Sequence, residues 1–369
     1  MLIDQCNRIV IKVGSSLIAP HNDGCSSQYL LSIANFIVRC RIKGIQVVLV
    51  SSGSVAAGAH LFDDADNVSM TIKKAMAAAG QSEMMATWDK LFDFNTAQLL
   101  MTHADLKDHS RYISIRDTLD VLLAKGILPI VNENDAVTTD KLKVGDNDNL
   151  SAMVATAANA DALIICSDID GLFTANPNLD PNSTLIKDVH SIDSRICIMA
   201  SGSTSSVGTG GMITKIEAAE KAAAHGIDTF IINGFKEESF NAILSGENPG
   251  THFHPNENPM HDKLHWFTHT TKAQGELIVD DGFEMEKQDS ALVQPDDLVD
   301  ICGEFGVGDV VHLRKKNGDK LAKVKTNYSS CFLEYLVKAD SNQMASHLDE
   351  TLEPILSEHE FDMVPLVSV

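Results

Sequence analysis

Five short runs rich in Val, Ile and Leu, at residues 8–13, 46–51, 127–131, 162–167 and 228–233, alternate with longer Ala-, Leu- and Met-rich stretches at 28–43, 70–95, 114–125, 149–160 and 212–225. This alternation predicts parallel strands joined by helical crossovers, because a parallel pair cannot be closed by a two-residue hairpin. The strand runs are continuously apolar, which predicts a sheet covered by helices on both faces. Lys43-Gly44, Lys125-Gly126 and His225-Gly226 each put a basic residue and a glycine between a helix and the next strand, the composition of a helix C-terminus.

After Asn233 the alternation fades, and 249–272 carries Pro, Asn and His without periodicity, which reads as a linker. Beyond it, 276–280, 298–302, 309–314, 320–325 and 331–337 are strand candidates separated by Gly, Asn and Asp turns. The 369 residues are therefore expected to divide into an α/β domain at 1–255, a linker at 256–272 and a mainly β domain with a C-terminal extension at 273–369.

The apolar runs are far too short to span a bilayer, and the first residues lack the charged start and continuous apolar stretch of a signal peptide, so a cytoplasmic protein without a membrane segment is expected. Seven cysteines are scattered without a C-x-x-C pair, which predicts reduced thiols rather than a disulfide framework or a zinc site. A net charge of −22 opposes non-specific attraction to nucleic acid or anionic lipid. An acidic substrate would need lysines and amides placed locally.

In an open parallel sheet, ligands bind beyond the carboxyl ends of the strands. The first strand runs into Lys12-Val13-Gly14-Ser15-Ser16, where an ammonium and a glycine turn can approach phosphate oxygens. The second runs into Ser51-Ser52-Gly53-Ser54 and on through Ala56-Ala57-Gly58, exposing hydroxyls and backbone N–H groups near a helix start. Asn132-Glu133-Asn134-Asp135 follows a third, and Gly145-Asp146-Asn147-Asp148-Asn149 precedes an Ala-rich helix. Carboxylates and amides so placed can bind an amino group, coordinate Mg²⁺ through oxygens, or orient a lysine. Ser167-Asp168-Ile169-Asp170-Gly171 follows a further strand and can hold nucleotide or order a lysine.

The last constellation is the glycine-rich stretch 202–215, which opens a helix with Thr209-Gly210-Gly211-Met212-Ile213-Thr214-Lys215. Backbone N–H groups there can turn on a phosphate chain while Lys215 neutralises the transferring group. The G-x-x-x-x-G-K-[ST] spacing is absent, so this is not a Walker A loop. Taken singly, a glycine-rich loop is an ordinary connection and Asp146 with Asp148 an ordinary helix cap. Their joint placement after successive strands, with two lysines, predicts a phosphoryl-transfer site.

These stretches, I-K-V-G-S-S, V-S-S-G-S-V-A-A-G, V-N-E-N-D-A-V, K-V-G-D-N-D-N-L-S-A and G-T-G-G-M-I-T-K, resemble the glutamate 5-kinase family over nearly all of residues 8–254. The resemblance implies the amino-acid kinase fold, an αβα sandwich, and ATP-dependent phosphorylation of L-glutamate to γ-glutamyl phosphate with Mg²⁺, the first step of proline synthesis. It implies that Lys12 and Lys215 stabilise the transferring phosphoryl group and that Asp148 organises them. It also implies that Ser52, Asp135 and Asn147 bind glutamate, and that Lys12, Ser167, Asp168, Thr209, Gly210, Gly211, Met212, Ile213, Thr214 and Lys215 bind ATP. Feedback inhibition by proline at a site overlapping that of glutamate and assembly as a homo-oligomer are further implications, whereas ligands for the metal ion are left unassigned. A same-fold kinase of another small acid and a non-catalytic regulatory protein are the alternatives.

Residues 273–335 resemble the PUA domain, a small β domain that elsewhere binds RNA, through E-L-I-V-D-D-G at 276–282 and the stretch ending in N-Y-S-S. From 273 to 369 there are 8 Lys or Arg against 20 Asp or Glu, a balance of −12 that argues against RNA binding and for a structural or regulatory role. Arg314-Lys315-Lys316 reads as a solvated turn, and His252, His254, His261, His265 and His269 read as exposed linker histidines rather than metal ligands.

Overall fold

Side-chain alternation on the first strand, β1 (Arg8–Val13), sets up the larger sheet. Ile9, Ile11 and Val13 enter one hydrophobic cluster, while Val10 and the buried Lys12 lie on the opposite face. Next come α1 (Ser15–Ile18), α2 (Leu30–Ile42), β2 (Gln46–Ser51), α3 (Ser54–Gly58), α4 (Met70–Asp89), β3 (Thr96–Met101), α5 (His103–Lys107), α6 (His109–Ala124) and β4 (Leu128–Glu133). They are followed by α7 (Asn147–Ala157), β5 (Ala162–Ser167), β6 (Asp188–Val189), α8 (Ser194–Ser201), α9 (Met212–Ala224), β7 (Asp228–Asn233), α10 (Glu237–Leu244) and β8 (Thr251–Phe253).

The structure is a computed structural model, described over residues 3–21, 23–62, 69–138, 147–177, 179–201, 211–256, 259, 273–283, 293, 297–307, 309–338, 355–356 and 363–365. Backbone contacts divide the chain into two compact units, Met1–Met260 and His261–Val369.

In the first unit the strand order is β3-β4-β2-β1-β5-β7-β8-β6. The strands from β3 to β7 are mutually parallel, β8 runs antiparallel to β7, and β6 is parallel to β8. Leu30, Ile33, Phe36 and Ile37 of α2 and Phe240, Ile243 and Leu244 of α10 cover one face, joined by Met84 and Trp88 of α4. Helices α7 and α9 pack together over the other face against β1, β5 and β7, completing the αβα sandwich. The Lys-Gly and His-Gly helix ends behave as expected: Gly44, Gly126 and Gly226 have φ of 85°, 68° and 83°, and the amide after each reaches back to close the helix.

Two expectations fail at the edges of this sheet. The helix expected over 70–95 ends at Asp89, and Thr96–Met101 forms strand β3 in parallel register with β4. An edge strand has only one neighbour and here buries only Met101, so it lacks the continuous apolar run of a central strand. The supposed linker contributes Thr251–Phe253, buried throughout, so His252 at 4% exposure is a strand residue and not an exposed linker histidine. Three residues are too few to show a period. His261, His265 and His269 lie outside the described residues.

The second unit holds a five-stranded sheet in the order β10-β9-β11-β12-β13, made of β9 (Gly275–Val279), β10 (Leu298–Cys302), β11 (Val310–Lys315), β12 (Lys320–Lys325) and β13 (Met363–Pro365). The strand expected at 331–337 is instead the helix α11 (Ser330–Lys338). Leu333 and Leu336, three residues apart, are buried while Cys331 is exposed, which is helical rather than alternating spacing. Both leucines join the core of Leu277, Val279, Val311, Leu313, Ala322 and Val324. Arg314 and Lys316 are paired with Glu276 at 2.5 Å and Asp280 at 3.1 Å, and Lys315 donates to the Asp281 carbonyl. Neighbouring acids therefore already occupy this short basic stretch.

Candidate active site

Helix α7 begins at Asn147 and Asp148, so both side chains sit in its first turn, where the helix dipole favours negative charge. Asp148 is buried and carries an ammonium on each oxygen: Lys12 Nζ at 2.5 Å from Oδ1 and Lys215 Nζ at 3.2 Å from Oδ2. The Thr214 hydroxyl donates to Oδ2 at 2.8 Å. Burial by itself would raise the Asp148 pKa, but the two lysine charges and the hydrogen bonds from Lys12 and Thr214 outweigh it and hold the carboxylate well below its usual range. Lys12 and Lys215 are only 6% and 8% exposed, so each needs this counter-charge. β1 and α9 bring the lysines from opposite ends of the domain sequence to one carboxylate.

A polar chain leads away from this cluster. Asn147 Nδ2 donates to Ser52 Oγ at 2.8 Å and to Asn132 Oδ1 at 2.9 Å, and Asn132 Nδ2 donates to Gln81 Oε1 at 2.8 Å. The chain ends at a cavity of about 270 Å³ lined by Ser54, Gln81, Gln98, Glu133, Asn134 and Asp135. Four buried polar atoms along this path have no hydrogen-bond partner among the described residues: Asn147 Oδ1, Gln81 Nε2, Glu133 Oε2 and Asp135 Oδ1. Three are acceptors and one is a donor, a set suited to a ligand bearing both an ammonium and a carboxylate. Ser54 Oγ donates to the other Asp135 oxygen at 2.7 Å. Desolvation, helped by the Glu133 charge, pushes the Asp135 pKa up to about 6 against that hydrogen bond.

The cavity wall depends on a close backbone crossing. A Cβ at Gly80 would lie 2.0 Å from the Ser54 carbonyl oxygen, and one at Gly58 would lie 2.1 Å from that of Met76. Only glycines let α3 and α4 touch there, which places Gln81 beside Ser54.

The remaining expected residues lie at neighbouring strand and helix ends. Val13 pairs with Cys166, so the Gly14 turn and Ser167 leave adjacent strands together. Ser167 Oγ donates to Asp168 Oδ1 at 3.1 Å, leaving Asp168 exposed with acceptor capacity, the oxygen chemistry that Mg²⁺ takes alongside phosphates. Asp148, buried and with a lysine ammonium against each oxygen, is committed to ordering those two cations. The lysine that the 167–171 segment orders is Lys236, which follows β7 and is held by Asp170 at 2.6 Å. Gly211 caps α9, Met212 is buried, Ile213 is exposed, and both Thr214 and Lys215 donate to the Gly211 carbonyl. Thr209 and Gly210 lie outside the described residues.

Sequence reasoning did not single out Gln81, Ser54 or Asn132 as site residues, although each stands within a stretch already noted. The signal that could have found them is pairing: every buried amide and carboxylate at these strand ends needs a partner.

A parallel sheet with lysines converging on a helix-start carboxylate beyond its strand ends defines the class: the chain belongs to the amino acid kinase family, whose model matches residues 7–233. Relatives place it among the glutamate 5-kinases. It is 57% identical over 352 residues to Glutamate 5-kinase 1 of Pseudoalteromonas translucida, covering 95% of this chain and 96% of that protein. It is 52% identical to Glutamate 5-kinase of Idiomarina loihiensis over 341 residues, 92% of each chain. The identity is 43% with that of Salinibacter ruber over 350 residues, 93% of each chain. No helix among the described residues is long and apolar enough to cross a membrane.

Proposed function

We propose that the chain transfers the γ-phosphoryl group of ATP to the γ-carboxylate of L-glutamate, forming γ-glutamyl phosphate for proline biosynthesis. The observation that carries this reading is Asp148 holding Lys12 and Lys215 together at one end of a polar chain whose other end is an amino-acid-sized cavity.

Glutamate's ammonium would be accepted by Asp135 Oδ1 and Asn147 Oδ1, and Gln81 Nε2 would donate to its α-carboxylate, satisfying atoms that otherwise lack partners. The attacking γ-carboxylate is already ionised near pH 7, so no general base is required. Lys12 and Lys215 neutralise charge on the transferring group, and Asp148 fixes where those ammoniums sit. ATP would lie over Ser167, Asp168 and the 209–215 stretch, its phosphates against the start of α9. Asp168 would hold Mg²⁺ together with those phosphates, and the ion when bound supplies further charge neutralisation.

The reading extends to a cytoplasmic homo-oligomer with an amino-acid kinase domain at 1–255 and a PUA-like domain at 273–369 that serves a structural or regulatory role. Proline, which shares glutamate's ammonium and α-carboxylate, would inhibit by occupying the same donors and acceptors. Inhibition that rising glutamate does not relieve would count against that overlap.

A substrate panel with MgATP, followed by ADP release, tests the assignment. Glutamate is expected to exceed aspartate by at least about tenfold in kcat/KM, since one missing methylene misplaces the attacking oxygen. Equal turnover of aspartate would overturn it.

A further inference from the structure

At the far edge of the larger sheet lies a cluster that the phosphoryl-transfer site does not use. Asp188 of β6 is the register partner of His252 on β8, and the His254 amide donates to the Val189 carbonyl, so these two short strands set three side chains side by side. Among the described residues, Asp188, His252 and His254 form the one group of three such side chains whose ligand atoms all lie within 4.8 Å of one another.

His252 has a carboxylate on each side of its ring. Nε2 lies 2.5 Å from Asp228 Oδ1, and Nδ1 lies 3.8 Å from Asp188 Oδ1. A hydrogen on Nε2 directed at Asp228 leaves the Nδ1 lone pair turned towards a second acceptor, across a gap too long for a hydrogen bond. His254 Nε2 lies 3.0 Å from the same Asp188 oxygen. The rings are held in place: His252 stacks on Phe230 at 4.3 Å, and His190 stacks on His254 at 4.1 Å.

We propose that Asp188, His252 and His254 bind a divalent transition-metal ion, with Asp228 orienting His252 from behind. Two imidazole nitrogens and one carboxylate oxygen favour Zn²⁺, Co²⁺ or Ni²⁺ over Mg²⁺ or Ca²⁺. The carboxylate behind the buried histidine is the usual companion of a metal-bound imidazole, because it fixes the tautomer and the ring angle. Asp188 and His254 have side chains 53% and 29% exposed, which opens the site to an entering ion and to water as a further ligand. The bound ion would add a side-chain tie between the two-residue edge strand β6 and β8 to the backbone pairing already there.

The test uses the full chain, stripped with a chelator and titrated with Co²⁺ by visible absorption and with Zn²⁺ by competition. Wild type is expected to bind, with His254→Ala and Asp188→Asn each weakening affinity at least about tenfold. Asp228→Asn, which leaves all three ligands in place, is expected to weaken it by about 10–100-fold. Zn²⁺ should raise the thermal midpoint of wild type and leave that of Asp188→Asn unmoved. Absence of binding by wild type, or equal binding by the Asp188 and His254 variants, would overturn the proposal.

Discussion

Lys12 Nζ rests 2.5 Å from Asp148 Oδ1 with both side chains buried, one from the first strand and the other from the first turn of α7. Because Lys215 takes the second oxygen, one carboxylate fixes two cations at once. Asp148→Asn would leave two buried ammoniums without a counter-ion. We expect a loss of about 3–5 kcal/mol in stability, from urea unfolding, and a fall in kcat of about 10²-fold. The depressed Asp148 pKa gives a sign: its contribution is complete above the ordinary carboxylate range and is lost as pH falls through the folded value, so the variant should lose that acid-side dependence. Unchanged stability and kcat would contradict the arrangement.

Asp135, whose pKa is shifted the other way, supplies an acid-side dependence of activity rather than of stability. With a pKa raised to about 6 in the free enzyme, it becomes protonated below that pH and loses the negative charge that holds an ammonium. Glutamate kcat/KM should fall about tenfold per pH unit below the pKa, since that ratio reports free-enzyme groups. Asp135→Asn should lower kcat/KM and abolish the limb. Persistence of the limb in the variant would assign it elsewhere.

Gly80→Ala pits helix propensity against space. Alanine gains about 1 kcal/mol in a helix interior, but its Cβ would meet the Ser54 carbonyl at 2.0 Å, and overpacking of this kind costs about 1–3 kcal/mol or more. Net destabilisation and a raised KM for glutamate are expected, because Ser54 and Gln81 flank the crossing. A wild-type midpoint would show that α3 and α4 separate freely.

Cysteine accessibility gives a check independent of activity. Burial pushes the thiols of Cys40 and Cys166 up to about 12 each, whereas Cys302 and Cys331 are exposed. An aromatic disulfide reagent should label Cys302 and Cys331 in the folded protein, and Cys40 and Cys166 only in denaturant. Early labelling of Cys166 would contradict the packing of β5.

How far the sequence could be read follows from burial. Strands β1, β2, β5 and β7 lie inside the sheet, so both faces demand apolar residues and the signal is continuous. β3 has one strand neighbour, while β6 and β8 are two and three residues long; with weak or brief constraints, their sequences resemble loops. Residues 331–337 suit a strand by composition, and only the packing of Leu333 and Leu336 decides for a helix. In the site, the charged groups Lys12, Asp148 and Lys215 were visible because their motifs stand at strand and helix ends. Gln81 and Ser54 were not singled out, since their roles come from partners 51 residues away at Asn132 and 81 away at Asp135.

Hydroxylamine trapping reads directly the acyl-phosphate bond that forms. Purified protein with glutamate, MgATP and hydroxylamine should yield γ-glutamyl hydroxamate in step with ADP, and Lys215→Ala should lower that yield by about 10²–10³-fold. ADP release without hydroxamate, or an equal hydroxamate yield from Lys215→Ala, would contradict phosphoryl transfer to the glutamate carboxylate at this site.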